Sequence, residues 1–299
     1  MTAILRVNGL RKQFKTVLAV DDLNFQIEKG DICGFLGPNG SGKSTTLRML
    51  LGFIKPDAGT ITFFGDDQQY KPQPERIGSM IEKPDFYGYL SAYDNLNLFA
   101  RASGIQKADD IITRLLKRVG LDRRAQHKVK TYSQGMKQRL GLAQALLHDP
   151  ELIILDEPNT GLDPQGIIDL RNLILDLNKT EGKTILFSSH VLSEVQELCN
   201  RIVVIHQGRA LIEGEVSELL STENLWVTLQ VQQAEKAETF FTQNTKYPFE
   251  KRGVSFQLKM AQHEIPALIQ ELTREGIDIF RIDYRNQLEE YFLKITARG

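Results

Sequence analysis

Lys43 and the residues around it, Gly37-Pro38-Asn39-Gly40-Ser41-Gly42-Lys43-Ser44-Thr45, satisfy the pattern G-x-x-x-x-G-K-[ST] at every required position, and the chemistry of that pattern is the binding of a nucleoside triphosphate. Its glycines let successive backbone N–H groups turn inward around an anion. Lys43 supplies a point charge for the β- and γ-phosphates, and the hydroxyl of Ser44 is available to an accompanying Mg²⁺. A helix opening at Ser44-Thr45 would aim its positive end at the same phosphates. A second constellation, Leu152-Ile153-Ile154-Leu155-Asp156-Glu157, is an apolar run ending in two carboxylates. Hydrolysis of a phosphoanhydride needs such a pair: Asp156 to hold Mg²⁺ through its water shell, and Glu157 to position or deprotonate the attacking water.

These residues need particular elements beneath them. The loop requires a strand before it and a helix after it, and Asp31–Leu36 and Thr45–Leu51 read as that strand and that helix. Residues 1 to about 80 read as short strands and turns, closing with Thr60–Gly65 and Arg76–Ile81. From Ala92 to about His148 the apolar period becomes helical, as in Asn95–Ala100 and Ile111–Leu116, which predicts an all-helical insert. Strand signals return at Leu152–Leu155, Thr184–Phe187 and Arg201–Ile205 with helices between them, and such continuous apolar runs predict a buried parallel sheet. Ser221-Thr222-Glu223-Asn224 reads as a boundary, after which the order is β-α-β-α-β-α. The expectation is therefore an α/β chain of two domains: residues 1–220, with a helical subdomain at about 88–150 and a mainly parallel sheet, and a small C-terminal α+β domain over residues 221–299.

Composition narrows the partners. A formal net charge of −1 over 299 residues provides no general attraction to nucleic acid or anionic lipid. The C-terminal part, with ten basic and eleven acidic residues, carries no nucleic-acid footprint. Cys33 and Cys199 lack a metal-like spacing and read as reduced core thiols of a cytosolic protein. No stretch approaches the ~18 apolar residues of a membrane span, so action at a membrane would need another polypeptide.

Ser133-Gln134-Gly135-Met136-Lys137-Gln138-Arg139 precedes the acidic strand and opens an amphipathic helix. Phosphate loop, serine-glycine helix start and acidic strand, in this order, resemble the ATP-binding subunits of ABC transporters. Thr160-Gly161-Leu162-Asp163 is similar to that family's D-loop, and Ser188-Ser189-His190 to its switch histidine. The resemblance covers residues 4 to about 220. It implies a P-loop ATPase fold of ABC type, ATP and Mg²⁺ as cofactors, and two subunits pairing head to tail. Each ATP would lie between the phosphate loop of one subunit and Ser133, Gln134 and Gly135 of the other, with Asp163 nearby and His190 on the γ-phosphate. Phe14 falls where the family stacks an aromatic on adenine; a core phenylalanine is the other reading. The implied partner is a membrane-spanning permease on a separate chain, which would hold this one at the cytoplasmic face of the membrane.

Two positions depart from the family pattern. Gln134 replaces the first glycine after the signature serine, restricting close backbone approach to phosphate. Glu82 replaces the lid glutamine that ligates Mg²⁺. Like charges 4 Å apart at an effective dielectric near 20 repel by about 4 kcal/mol, so Glu82 is expected to act through the metal rather than on phosphate directly. Glu82 with Pro84-Asp85-Phe86-Tyr87 resembles the E-loop subgroup associated with bacitracin resistance and lantibiotic self-immunity. The leading expectation is thus an ATPase subunit of a membrane exporter, and the rival is a soluble ABC-type ATPase acting on ribosomes or nucleic acid.

Overall fold

The computed structural model of the chain describes residues 3–65, 73, 75–81, 84–222, 225–286, 288, 289 and 292. The chain divides into two compact units, Met1–Glu213 and Gly214–Gly299. The first unit begins with β1 (Ala3–Phe14), β2 (Val17–Glu28), β3 (Ile32–Leu36), α1 (Lys43–Leu50), β4 (Ala58–Phe63) and β5 (Ile77–Met80). Three helices follow, α2 (Ala92–Ala102), α3 (Asp109–Arg118) and α4 (Gln134–Ala145). Then come β6 (Leu152–Asp156), α5 (Pro164–Glu181), β7 (Thr184–Ser189), α6 (Leu192–Leu198), β8 (Arg201–His206) and β9 (Arg209–Glu215).

Two sheets enclose the core of this unit. One is antiparallel, in the order β2-β1-β4; the other has the order β5-β6-β7-β3-β8-β9, with its first five strands parallel. Every residue of β3, β6 and β7 is buried, which is why these strands read as unbroken apolar runs. Leu47, Met49 and Leu50 of α1 join Phe25 and Ile27 of β2 and Phe35 and Ile154 of the parallel sheet in one apolar cluster. The loop before α1 is thereby fixed at both ends. Serine caps set two helix starts: Ser91 Oγ accepts the Asp94 N–H at α2, and Ser133 Oγ accepts the Met136 N–H at α4. Arg118 of α3 pairs with Asp176 and Glu181 of α5, tying the helical insert to the core.

The N-terminal strands are longer than expected. β1 and β2 hold 12 residues each, but register shifts at Ala3/Leu5, Val7/Leu10, Leu10/Lys12 and Lys12/Gln13 break the two-residue alternation that reveals a strand in sequence.

The second unit contains α7 (Val216–Leu219), β10 (Leu225–Val231), α8 (Ala234–Gln243), β11 (Phe249–Arg252), β12 (Ser255–Met260), α9 (Ile265–Arg274) and β13 (Ile279–Arg285). Over Leu225–Arg285 its order is β-α-β-β-α-β, one strand more than expected, and most of the helix expected after β13 lies outside the described residues. The missed strand, β11, carries Glu250 and Lys251 beside one apolar residue, and it forms through a tight Gly253-Val254 turn rather than through apolar patterning. The sheet is antiparallel throughout with the order β11-β12-β10-β13, two split β-α-β units of ferredoxin-like type. Leu225, Val227, Leu229, Phe256 and Leu258 line one face, where Phe241 of α8 and Leu268 and Leu272 of α9 cover them.

Both cysteines are free and buried, and burial pushes both thiols well above their ordinary range. The folded protein should therefore leave both thiols untouched by an aromatic disulfide reagent at mildly alkaline pH, and both should titrate once denaturant is added. Rapid reaction of either one in the folded state would contradict this packing.

Candidate functional site

The parallel sheet brings three strand ends together. In the order β6-β7-β3, the acidic pair ends β6, Ser188-Ser189-His190 ends β7, and the glycine-rich loop leaves β3. Side chains and backbone at the carboxyl ends of adjacent parallel strands are where open α/β sheets bind ligands.

The loop is held by its neighbours. Gly37 donates its N–H to Ser189 O at 3.3 Å, and Gly208 donates to Ser41 O at 2.8 Å. A Cβ on Gly37 would lie 2.3 Å from Ile205 O, and one on Gly42, whose φ is 106°, would lie 2.5 Å from Ala19 O. Pro38 is half-buried, and Asn39 and Gly40 are exposed at the loop tip. Ser41 Oγ is buried with no hydrogen-bond partner, an unsatisfied polar atom inside the cradle. Ser44 and Thr45 are half-buried on the first turn of α1.

Lys43 is the charged centre. Its side chain is 4% exposed, and Nζ donates to Gly37 O at 2.7 Å and to Pro38 O at 3.2 Å. Glu157 Oε1 lies 3.6 Å from the same nitrogen. Burial pulls the Lys43 pKa down, while the charge and hydrogen bond of Glu157 pull it back up. Two backbone carbonyls and one carboxylate therefore hold an ammonium that has lost its water. A phosphate anion would suit it better.

Glu157 is positioned from three sides. His190 Nδ1 is 3.3 Å from Oε1, Thr160 Oγ1 is 3.5 Å from Oε2, and the Glu157 N–H donates to Ser188 Oγ at 3.0 Å. Its φ of 46° is left-handed, a conformation that costs a non-glycine residue about 1 kcal/mol or more and persists only where neighbours enforce it. Ser188 also donates to Asp156 Oδ1 at 2.5 Å. One fully buried hydroxyl thus sets both carboxylate residues, because Asp156 and Ser188 share a register position on adjacent strands. In the sequence Ser188 belongs to the switch segment, with no part assigned to it beside Asp156. Only the β6–β7 register reveals that part.

The remaining residues fall elsewhere. Ser133, exposed, caps α4; Gln134 and Gly135 lie beside Gly161 and Leu162, and among the described residues none of the polar partners of Lys43, Glu157 or His190 comes from α4. Asp163 caps α5, with Oδ1 accepting the Gly166 N–H at 3.0 Å. Phe14 stands 42% exposed at the end of β1 with Lys12 Nζ 5.5 Å from its ring centroid, so it is not a core residue. Glu82 lies outside the described residues.

Comparison with known proteins identifies the family. A family model described as ABC transporter matches residues 20–160. The bacitracin transport ATP-binding protein of Bacillus licheniformis is 39% identical, over 100% of this chain and 99% of that protein. The lantibiotic transport ATP-binding protein SrtF of Streptococcus pyogenes is 40% identical, over 75% of this chain and 96% of that protein. Among solved structures, cbiO1 from Clostridium perfringens, part of the ABC transporter complex cbiONQ, is similar with 29% identity and a TM-score of 0.65, covering 73% of this chain and 90% of that one.

Replacing Ser188 by alanine leaves Asp156 Oδ1 and the Glu157 N–H without that partner, which should lower unfolding stability by ~1–3 kcal/mol in urea titration. A loss below about 0.5 kcal/mol, the range of an ordinary surface substitution, would contradict the bridging role.

Proposed function

This chain is an ATP-binding subunit of the ABC transporter family, an ATPase that powers a membrane transporter, and from that premise we propose that its transporter exports a peptide antibiotic, in resistance or self-immunity. Similarity over nearly the whole chain to a bacitracin transport protein, and over three quarters of it to a lantibiotic one, supports the cargo class. The catalytic reading rests on one observation: Lys43, Glu157 and His190 form a continuous chain of contacts at adjoining strand ends.

Each side chain has a role in that reading. Gly37 to Thr45 wrap the phosphates, and Lys43 moves its ammonium from the carbonyls of Gly37 and Pro38 onto the β- and γ-phosphates. Mg²⁺, when bound, supplies positive charge that offsets the phosphates. Ser44 and Asp156 would hold it, and two oxygen donors suit an ion that takes one or two protein oxygens plus phosphate and water. Glu82 would act through that ion. Glu157 accepts a proton from the attacking water or orients it, while His190, beside Oε1, reaches the γ-phosphate. Phe14 stacks on adenine from its exposed strand end.

Two copies pair head to tail around the nucleotide. The α4 N-terminus, with exposed Ser133 and half-buried Gln134 and Gly135, offers its positive end to the triphosphate held by the partner, with Asp163 nearby. A permease on a separate chain docks near Asp85-Phe86-Tyr87, where Tyr87 and Tyr89 are 48% and 66% exposed and meet edge to face. On this reading the chain sits on the cytoplasmic face of the membrane. Among its own described residues no helix is long and apolar enough to cross it. The soluble alternative, an ATPase acting on ribosomes or nucleic acid, has no support among these relatives.

Glu157→Gln should keep ATP affinity and lose hydrolysis by about 10²–10⁴-fold, the usual contribution of a positioned general base. Purified from native membranes in mild detergent with ATP, the same variant should bring down a multi-spanning membrane protein. Recovery of ribosomal or DNA-bound partners without one would overturn the transporter assignment. Phe14→Ala should weaken ATP binding by about 5- to 150-fold in equilibrium titration, from a stacking contribution of ~1–3 kcal/mol. An unchanged affinity would return Phe14 to a structural role.

A further inference from the structure

The second unit ends its sheet on β13, and among the described residues no strand pairs with the outer edge of that strand. Exposed edges usually carry charges that repel another strand. Here the charges are arranged differently. β13 reads Ile279-Phe280-Arg281-Ile282-Asp283-Tyr284-Arg285, and Arg281 Nε already lies 2.6 Å from Asp283 Oδ2 on one face of the strand. Phe280 and Tyr284 stand 70% and 55% exposed, among the most open large apolar side chains of the chain.

We propose that β13 pairs antiparallel with β13 of a second copy about a two-fold axis at Ile282, joining the two four-stranded sheets into one of eight. An antiparallel pair centred on one residue sets each position opposite its mirror image in sequence. Centring on Ile282 puts Arg281 opposite Asp283 of the second copy and Asp283 opposite its Arg281, with Phe280 opposite Tyr284 at each end. The neighbouring registers do not work. Centring on Arg281 faces arginine with arginine, while centring on Asp283 faces aspartate with aspartate and Arg281 with Arg285. Like charges directly opposite destabilise a ladder, whereas opposite charges and aromatic pairs support it. A two-fold axis normal to the sheet also keeps both helix layers on the same face, with Ile282, which packs against the buried cluster, at the join. The register shift between Gln230 and Val231 of β10 places an irregularity near Phe280, so Arg281, Ile282 and Asp283 form the centre of the join and the aromatic pairs its margins. This contact needs no nucleotide and does not use the phosphate loop or α4.

The test is charge complementation in the full-length chain without nucleotide, with mass measured by light scattering or sedimentation over a range of concentrations. Wild type should associate to a dimer. Arg281→Asp makes both central pairs acidic and Asp283→Arg makes both basic, so each alone should weaken the dimer at least tenfold. An equimolar mixture of the two variants restores opposite charges across the join and should recover the wild-type dimer. That recovery would also show that both variants are folded. A wild-type chain that stays monomeric to about 100 μM would overturn the proposal, as would single variants that dimerise as well as wild type or a mixture that does not recover.

Discussion

The site is organised around a buried ammonium. Lys43 is almost wholly removed from water, and the chain replaces its hydration with the carbonyls of Gly37 and Pro38 and the carboxylate of Glu157. A charge stripped of water and left unpaired costs several kcal/mol, so these partners are a condition of folding. The carbonyls come from the loop after β3 and the carboxylate from the end of β6, two strands away across β7. The order of the parallel sheet is therefore the constraint that everything else serves. Apolar strands buried on both faces fix that order, and the short polar segments at their carboxyl ends meet because of it.

The same logic explains the supporting contacts. Ser188, at the end of the intervening strand, joins Asp156 to the backbone of Glu157, and His190 two residues on reaches the Glu157 carboxylate. Strain at Glu157, in the left-handed region, is held by this arrangement. The signature helix belongs to a different surface. Its capping residue, Ser133, is exposed, and Gln134 and Gly135 lie beside Gly161 and Leu162 of the same chain.

Much of this is legible in the sequence, for local reasons. The glycine spacing before Lys43 and the apolar run into Asp156-Glu157 each encode their conformation within a few residues, and the order of motifs pointed to the family. What escaped depended on distant partners. Ser188 looks like an ordinary strand-end serine until the β6–β7 register sets it beside Asp156. β11 was hidden because Glu250 and Lys251 mask a strand made by its turn and its partner. The bulges of β1 and β2 likewise hid two long strands behind broken alternation. Phe14 could be read from sequence as core or platform, and its exposure at a strand end decides against the core.

Whether Lys43 is a desolvated cation poised for phosphate can be read from nitrogen-detected NMR of its side-chain amine. In the nucleotide-free protein Lys43 should titrate below the exposed lysines, since burial outweighs the pull of Glu157, and ATP should raise its pKa by replacing neutral carbonyls with charged oxygens. A Lys43 that titrates like a surface lysine and does not respond to ATP would contradict the account.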